Sequence, residues 1–281
     1  MTIMDGKSLQ LEMIDELKLS VEKLETSPRL AIIQVGHDGA SNKYIEQKKK
    51  FGEKIGIDVM HINYEEDIDE KTILTKIDEL NKDNSINGIM VQLPLPYSLS
   101  EDNIINSIDP LKDVDGLTTT NIGKLFDNKD CFFPCTALGV MDLIHKYNIN
   151  LEGKNVVLVG RSNLVGKPLI ACLLRENATV TVTHSKTVDL KNITNKADIV
   201  IVAVGKPHFI KEDMVKDGAV VIDVGTNFID GKLVGDVDFE NVSPKASFIT
   251  PVPNGVGRMT VISLLKNVII AYNIQKELNY K

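Results

Sequence analysis

The sequence predicts an α/β protein of two domains, and three observations carry that prediction. Short apolar runs of strand character alternate with helical segments along the chain, the pattern of right-handed crossovers onto largely parallel sheets. The series breaks after Asp115-Gly116 and resumes with a helical segment from Thr136 to Tyr147. The length of 281 residues accommodates two domains of ordinary size, at about 150 residues each.

Each element has its own local reason. Leu9, Met13, Leu17, Val21 and Leu24 recur at near-helical spacing and predict an opening amphipathic helix. Arg29 to Val35 reads as a buried strand, with His37-Asp38-Gly39 as the turn after it. Ala40 to Ile55 is helical, and Gly56 stands where a helix takes its left-handed C′ residue. A strand over Ile57 to Ile62, a helix over Glu70 to Lys82 and a strand over Ile86 to Val91 complete the first series. That domain should end soon after Asp115-Gly116.

In the second series, strands are expected at Val156–Val159, Thr179–Thr183, Ile199–Val204 and Val220–Val224. This is the rhythm of a doubly wound, Rossmann-like nucleotide-binding domain. A last helix, roughly Arg258 to Leu278, follows a Pro- and Gly-rich loop from Pro251 to Gly257. No internal repeat and no low-complexity segment interrupts the chain.

Composition narrows the function classes. Hydrophobic residues make up 43% and charged residues 25%, enough apolar surface for a packed core. A net charge of −7 argues against broad electrostatic binding to nucleic acid or to an anionic membrane. The N-terminus lacks a basic segment followed by an apolar run, and the apolar stretch Ile199 to Val204 is far too short to span a bilayer. Cys131, Cys135 and Cys172 form an odd set without disulfide spacing, so a reducing cytoplasm is expected. Cys131-x-x-x-Cys135 has no second Cys/His pair to complete a tetrahedral metal site, and no metal is expected.

The first chemical signal is the strand Val156–Val159 running into Gly160-Arg161-Ser162-Asn163-Leu164-Val165-Gly166-Lys167-Pro168. A strand-to-helix turn of this kind aims backbone N–H groups and the positive end of the helix at a pyrophosphate. Gly160 permits the tight turn, Gly166 allows close backbone approach, and Pro168 suits the first helical turn. Ser162 replaces the second glycine of G-x-G-x-x-G, and the loop is one residue longer, so an ordinary strand–helix turn remains the competing reading. After the next strand an NAD site carries an acid, about 20 residues on. Here the segment is Thr183-His184-Ser185-Lys186-Thr187, without a carboxylate. A hydroxyl, a nearby cation and Arg161 suit a 2′-phosphate, and favour NADP over NAD. A solvated polar turn is the bland alternative.

In the first domain Tyr44 and Lys48 lie four apart and share one helical face. The ring can stack on a flat ligand beside a reactive ammonium; by pattern alone a solvated Lys48-Lys49-Lys50 run is the preferred reading. Gln92, in Val91-Gln92-Leu93-Pro94-Leu95-Pro96, sits at the carboxyl end of a strand, where open α/β sheets bind ligands. Asp113-Val114-Asp115-Gly116 is either a second ligand loop or only a turn.

Taken with Pro134-Cys135-Thr136, Gly235-Asp236-Val237-Asp238 and Thr250-Pro251-Val252-Pro253, these motifs occur in the order of one family. The chain resembles the bifunctional methylenetetrahydrofolate dehydrogenase/methenyltetrahydrofolate cyclohydrolases, the FolD family, over nearly its whole length. Four positions depart from the family pattern: Ala137 stands in place of proline, Thr226 of isoleucine, Asn254 of glycine and Arg258 of proline. The resemblance implies a folate-binding catalytic domain over 1–117 with the C-terminal helix 258–281 packed back on it, and an NADP-binding domain over 118–257. It implies oxidation of 5,10-methylenetetrahydrofolate with NADP⁺, then hydrolysis of the methenyl product to 10-formyltetrahydrofolate, in a homodimer. Lys48 would be the acid/base or polarising residue, Gln92 its orienting partner, Tyr44 a stacking ring, and Asp115 a ligand for the pterin edge. Gly160, Arg161, Ser162, Ser185 and Thr226 would contact NADP. Cys135 and Cys131 read as buried or partly buried thiols. Two other classes stay open. A dehydrogenase lacking cyclohydrolase activity would fail to hydrolyse methenyl-folate without nicotinamide. A non-catalytic dinucleotide-binding regulator would not bind a folate analogue.

Overall fold

The computed structural model describes residues 1–279. The chain begins with β1 (Thr2–Ile3) and α1 (Gly6–Val21). Next come β2 (Arg29–Val35), α2 (Gly39–Ile55), β3 (Asp58–Tyr64), α3 (Glu70–Lys82) and β4 (Gly88–Val91), then the short α4 (Glu101–Asn106) and α5 (Thr119–Phe126). The second series runs α6 (Cys135–Lys146), β5 (Asn155–Val159), α7 (Gly166–Arg175), β6 (Thr179–Thr183), α8 (Leu190–Thr194) and β7 (Ile199–Val202). It continues through β8 (Val220–Asp223), the hairpin β9 (Asn227–Ile229) and β10 (Lys232–Val234), α9 (Phe239–Val242), β11 (Phe248–Ile249) and α10 (Val256–Asn279).

The chain divides into two compact units, one of Glu12–Cys135 with the segment from Val261 onward, the other of Met1–Leu11 with Thr136–Thr260. In the first, a three-stranded parallel sheet has the order β3-β2-β4. Strand periodicity of two sends Ala31, Ile33 and Val35 of β2, with Ile89 and Val91 of β4, to one face. There they form a core with Ile73, Ile77 and Leu80, the buried face of α3. Each of those three side chains contributes roughly 1.5–3 kcal/mol by leaving water. Asp69 starts α3 by accepting from the Thr72 N–H, and Asp38 starts α2 by accepting from the Ser41 N–H. Gly56 closes α2 at φ 96°, in the left-handed conformation its position predicts. α2 lies on the opposite sheet face, where Gln34 of β2 donates to Asn42 Oδ1 at 2.7 Å.

The second unit holds a six-stranded sheet of order β1-β11-β8-β7-β5-β6, parallel at every pairing. β6 lies on one side of β5, while β7 and β8 run off on the other, so the strand order reverses between β5 and β7. In a doubly wound sheet the crevice at the carboxyl ends of these two strands is the ligand site. Its core takes Val157, Val159, Val200, Val202 and Val221 from alternate strand positions.

Boundaries are where expectation and structure part. The expected division at 117/118 falls instead after Cys135. Asn121 of α5 donates to Pro110 O at 3.0 Å and to Asp113 Oδ2 at 2.8 Å, tying that segment to the first unit. Residues 1–11, expected in the first domain, go with the second because β1 pairs with β11. From Val261 onward the C-terminal helix belongs to the first unit; Asn267 donates to Val114 O at 2.8 Å and Gln275 to Asn87 O at 2.8 Å. The final two positions of that expected helix, 280 and 281, lie outside the described residues. Among the described residues no helix is long and apolar enough to cross a membrane.

Candidate active site

In β4 the same period of two that buries Ile89 and Val91 turns Met90, and beyond it Gln92, to the face where α2 lies. The Lys48 ammonium lies against both, 3.2 Å from Met90 Sδ and donating to Gln92 Oε1 at 2.8 Å. Gln92 is held in turn, its Nε2 donating to Leu93 O at 2.8 Å. A lysine only 5% exposed is uncommon, since a buried ammonium loses its hydration. Burial accordingly pulls Lys48 from its ordinary 10.5 to about 8, against the opposing charge of Asp115. The solvated-run reading fails for Lys48: Lys50 is exposed and Lys49 partly so, while Lys48 is turned inward. Tyr44 sits one turn earlier on the same helical face and is partly exposed.

Asp115 lies in a turn built by its neighbour. Buried Asp113 accepts from Thr118 N–H at 2.8 Å, Leu117 N–H at 3.2 Å and Asn121 Nδ2 at 2.8 Å. Gly116 follows at φ +70°, where a Cβ would lie 2.7 Å from Phe132 O. Both the conformation and the space demand glycine. Burial raises the Asp115 carboxyl above its ordinary range, countered by the Lys48 charge and a hydrogen bond from Cys135. The structure thus brings Lys48, Gln92 and Asp115 into one electrostatic neighbourhood, with Tyr44 on the adjoining helix turn.

From the sequence Cys135 is expected to be a buried or partly buried thiol. It is buried, but it adjoins Asp115, and its sulfur lies 3.4 Å from Val114 O. Burial first, and then the Asp115 carboxylate, push its pKa well up, so it stays a protonated donor. The signal available was its place in Pro134-Cys135-Thr136; no spacing rule links it to Asp115.

In the other unit, β5 ends at Val159 and Gly160 takes φ +125°, where a Cβ would overlap Ala203 O. The Gly160 N–H donates to Thr183 O at 2.9 Å, which sets the loop after β5 beside the end of β6. Gly166, at the start of α7, packs so tightly that a Cβ would lie 2.6 Å from Arg161 Cα. Its close approach is therefore to the loop itself. Ser162 Oγ accepts from Val165 and Gly166 N–H at 3.2 and 3.4 Å, while Arg161 to Leu164 stay exposed. Ser185 and Lys186 are exposed at the end of β6, and His184 N–H is taken by Thr187 Oγ1 at 2.8 Å. Thr226 is exposed after β8. These residues fit a dinucleotide with a 2′-phosphate. The helix start faces the loop, Arg161, Ser185 and Lys186 are exposed at the surface, and the turn after β6 carries no carboxylate before Asp189.

The sequence profile of the tetrahydrofolate dehydrogenase/cyclohydrolase catalytic domain matches residues 4–115, and that of the family's NAD(P)-binding domain matches residues 134–276. The chain is 49% identical to a bifunctional protein FolD of Campylobacter concisus over 275 residues, covering 96% of this chain and 97% of the relative. Among solved structures it is similar to the bifunctional dehydrogenase/cyclohydrolase of Campylobacter jejuni, with TM-score 0.96, 46% identity, and 98% and 99% of the two chains covered. It is also similar to the Trypanosoma brucei dehydrogenase-cyclohydrolase, which was solved with NADP and an inhibitor, with TM-score 0.93, 34% identity and 97% of each chain covered.

Proposed function

The chain belongs to the tetrahydrofolate dehydrogenase/cyclohydrolase family, and from that premise we propose that Lys48 is the acid/base of its hydrolytic step, oriented by Gln92. The enzyme oxidises 5,10-methylenetetrahydrofolate to the 5,10-methenyl cation with NADP⁺ and hydrolyses that product to 10-formyltetrahydrofolate. NADP⁺, when bound, supplies the hydride acceptor at C4 of its nicotinamide. In the hydrolytic step the oxygen of water bonds to the one-carbon bridge and the bond from that carbon to N5 breaks. One water proton ends on N5 and the other is released.

The observation that carries the assignment is the buried ammonium hydrogen-bonded to Gln92 at 2.8 Å. With a pKa near 8, Lys48 exchanges a proton close to neutral pH, as a group that moves a proton between water and N5 must. Gln92 Oε1 and Met90 Sδ each accept a hydrogen bond from the ammonium and so fix where its third proton points. Tyr44 stacks on the folate, because its ring shares the helical face that presents Lys48. Asp115, whose carboxyl burial raises above its ordinary range, binds the polar edge of the pterin. In the other unit Gly160 and Ser162 hold the pyrophosphate loop, Arg161 and Ser185 take the 2′-phosphate, and Thr226 contacts NADP through backbone and side chain.

Folate chemistry is thereby assigned to the unit carrying Lys48 and NADP to the unit carrying Gly160. The reading includes a cytoplasmic homodimer, expected from the family resemblance. Sedimentation at twice the 31.1 kDa chain mass supports the dimer, and a 31.1 kDa species overturns it. A spectrophotometric assay of 5,10-methylenetetrahydrofolate with NADP⁺ and with NAD⁺, followed by methenyl-folate hydrolysis without nicotinamide, tests the whole. Reduction of NAD⁺ at equal efficiency sinks the 2′-phosphate assignment.

A further inference from the structure

Asp236 is fully buried, yet it is part of neither the folate site nor the phosphate loop. Its carboxylate accepts four hydrogen bonds. Val204 and Gly205 N–H reach Oδ2 at 2.6 and 2.9 Å; Lys206 N–H and Asn227 Nδ2 reach Oδ1 at 2.8 and 2.9 Å. Three successive backbone donors converging on one point, with Gly205 at φ +63°, form an anion nest. Here the occupant is a side chain of the protein.

Asp236 is itself held from β8. Buried Asp223 accepts from Asp236 N–H at 3.0 Å, Gly225 N–H at 2.9 Å and Val237 N–H at 2.9 Å, and its own N–H donates to Thr250 Oγ1 at 2.7 Å. The two carboxyl groups leave no room beside them. A Cβ at Gly225 would overlap Asp236 Cγ, and one at Gly235 would overlap Asp223 Oδ2. The chain therefore carries glycine at two positions to seat two buried acids.

What this relay fixes is the loop after β7, and that loop has a definite place. The strand order reverses between β5 and β7, so the walls of the ligand crevice are Gly160 after β5 and the Ala203–Lys206 segment after β7. The walls touch, since Ala203 O occupies the space a Gly160 Cβ would need. If Arg161 and Ser185, on the β6 side, take the 2′-phosphate, the β7 side receives the nicotinamide half. We propose that Asp236, anchored by Asp223, is a positioning residue for the dehydrogenase step. It holds the Val204–Lys206 backbone as a preformed wall of the crevice for the nicotinamide half of NADP. The inference rests on the NADP assignment above and names a residue that does not touch the cofactor.

Asp236→Asn keeps one acceptor oxygen and turns an NH₂ group toward backbone donors. Leaving charged-acceptor bonds unmade at a buried site is expected to raise the KM for NADP⁺ about ten- to a hundredfold. Methenyl hydrolysis, assayed without nicotinamide, stays within about twofold and reports that the chain is folded. Asn227→Ala removes one of the four bonds and should raise the same KM by a few-fold. Amide exchange gives a readout free of turnover: in cofactor-free wild type the Val204, Gly205 and Lys206 amides exchange slowly, and in Asp236→Asn they exchange fast. The proposal is overturned if those amides exchange at open-loop rates in wild type. It is equally overturned if KM for NADP⁺ is unmoved in both variants, or if Asp236→Asn loses both activities together while Asn227→Ala changes nothing. Failure of wild type itself to reduce NADP⁺ strikes the functional reading instead.

Discussion

The surroundings of Lys48 and the loop at Gly160 are both built at the carboxyl ends of parallel strands, yet they work by opposite means. Around Lys48 the chemistry is carried by side chains taken out of water: a lysine 5% exposed, a partly buried aspartic acid with a raised pKa, and a thiol held protonated. At Gly160 the chemistry is carried by backbone geometry and exposed groups, from the left-handed glycine to Arg161, Ser162 and Ser185 at the surface. A buried site changes what a proton costs; an exposed loop changes where an anion rests. In the proposed assignment the hydrolytic step uses the first and dinucleotide binding the second, so mutations in the two regions should separate cleanly.

The largest separation is expected from Lys48→Met, which keeps the length and apolar stem but removes the ammonium. Methenyl hydrolysis should fall about a thousandfold, within the range that a positioned acid/base supplies. The dissociation constant for NADP⁺, measured by titration, should stay within about twofold. Undiminished hydrolysis in this variant ends the assignment of Lys48. The counterpart at the other region is Arg161→Ala. Loss of a charge-assisted contact to the 2′-phosphate should raise the KM for NADP⁺ about tenfold or more and leave that for NAD⁺ nearly unchanged. Equal effects on the two cofactors would show that Arg161 does not read the phosphate.

The same contrast explains what was legible in the sequence. Strands β2 and β6 and helix α3 fall at their expected residues because apolar periodicity is a local signal. Gly56 and Gly160 were legible too, since left-handed backbone leaves a glycine behind. β1 was not, because Thr2 and Ile3 are exposed and pair only through β11, more than two hundred residues on. The compact unit that carries Lys48 extends past the expected boundary at 117, to Cys135. What binds residues 118–135 to the first unit is a set of polar contacts from Asn121 to Pro110 and Asp113, which no hydropathy pattern records. The roles proposed for Lys48, Gln92, Tyr44 and Asp115 rest on motif resemblance; their spacing alone favours a solvated lysine run. Burial of Lys48 and the link from Cys135 to Asp115 are products of tertiary packing and became visible only there.

A smaller effect sharpens the claim that burial, not a neighbouring charge, sets the behaviour of Lys48. The Gln92 oxygen accepts from the ammonium and so favours its charged form. Gln92→Met fills similar space without an acceptor and should lower the Lys48 pKa further below about 8. In the pH profile of hydrolysis the limb belonging to Lys48 should move to lower pH by up to about one unit. A limb that stays in place, or moves to higher pH, would remove Gln92 from its proposed role.

The last expected effect is on stability, and its sign follows from the same shift. Lys48 titrates near 8 in the folded chain and at its ordinary 10.5 when unfolded. Between those values the unfolded chain holds a proton that the folded chain has lost, so this group makes stability rise with pH across that window. Above 10.5 the contribution is fully present, and it is lost as pH falls through 8. A shift of this size corresponds to about 3 kcal/mol at most, since water reaching a partly open site reduces the desolvation cost. Denaturant unfolding of the Lys48 unit, followed in wild type and in Lys48→Met from pH 7 to 10.5, isolates the term. The stability of wild type relative to the variant should climb with pH over this range. A flat difference would mean that Lys48 is hydrated in solution, and the contrast between a buried and an exposed site would fail at its central residue.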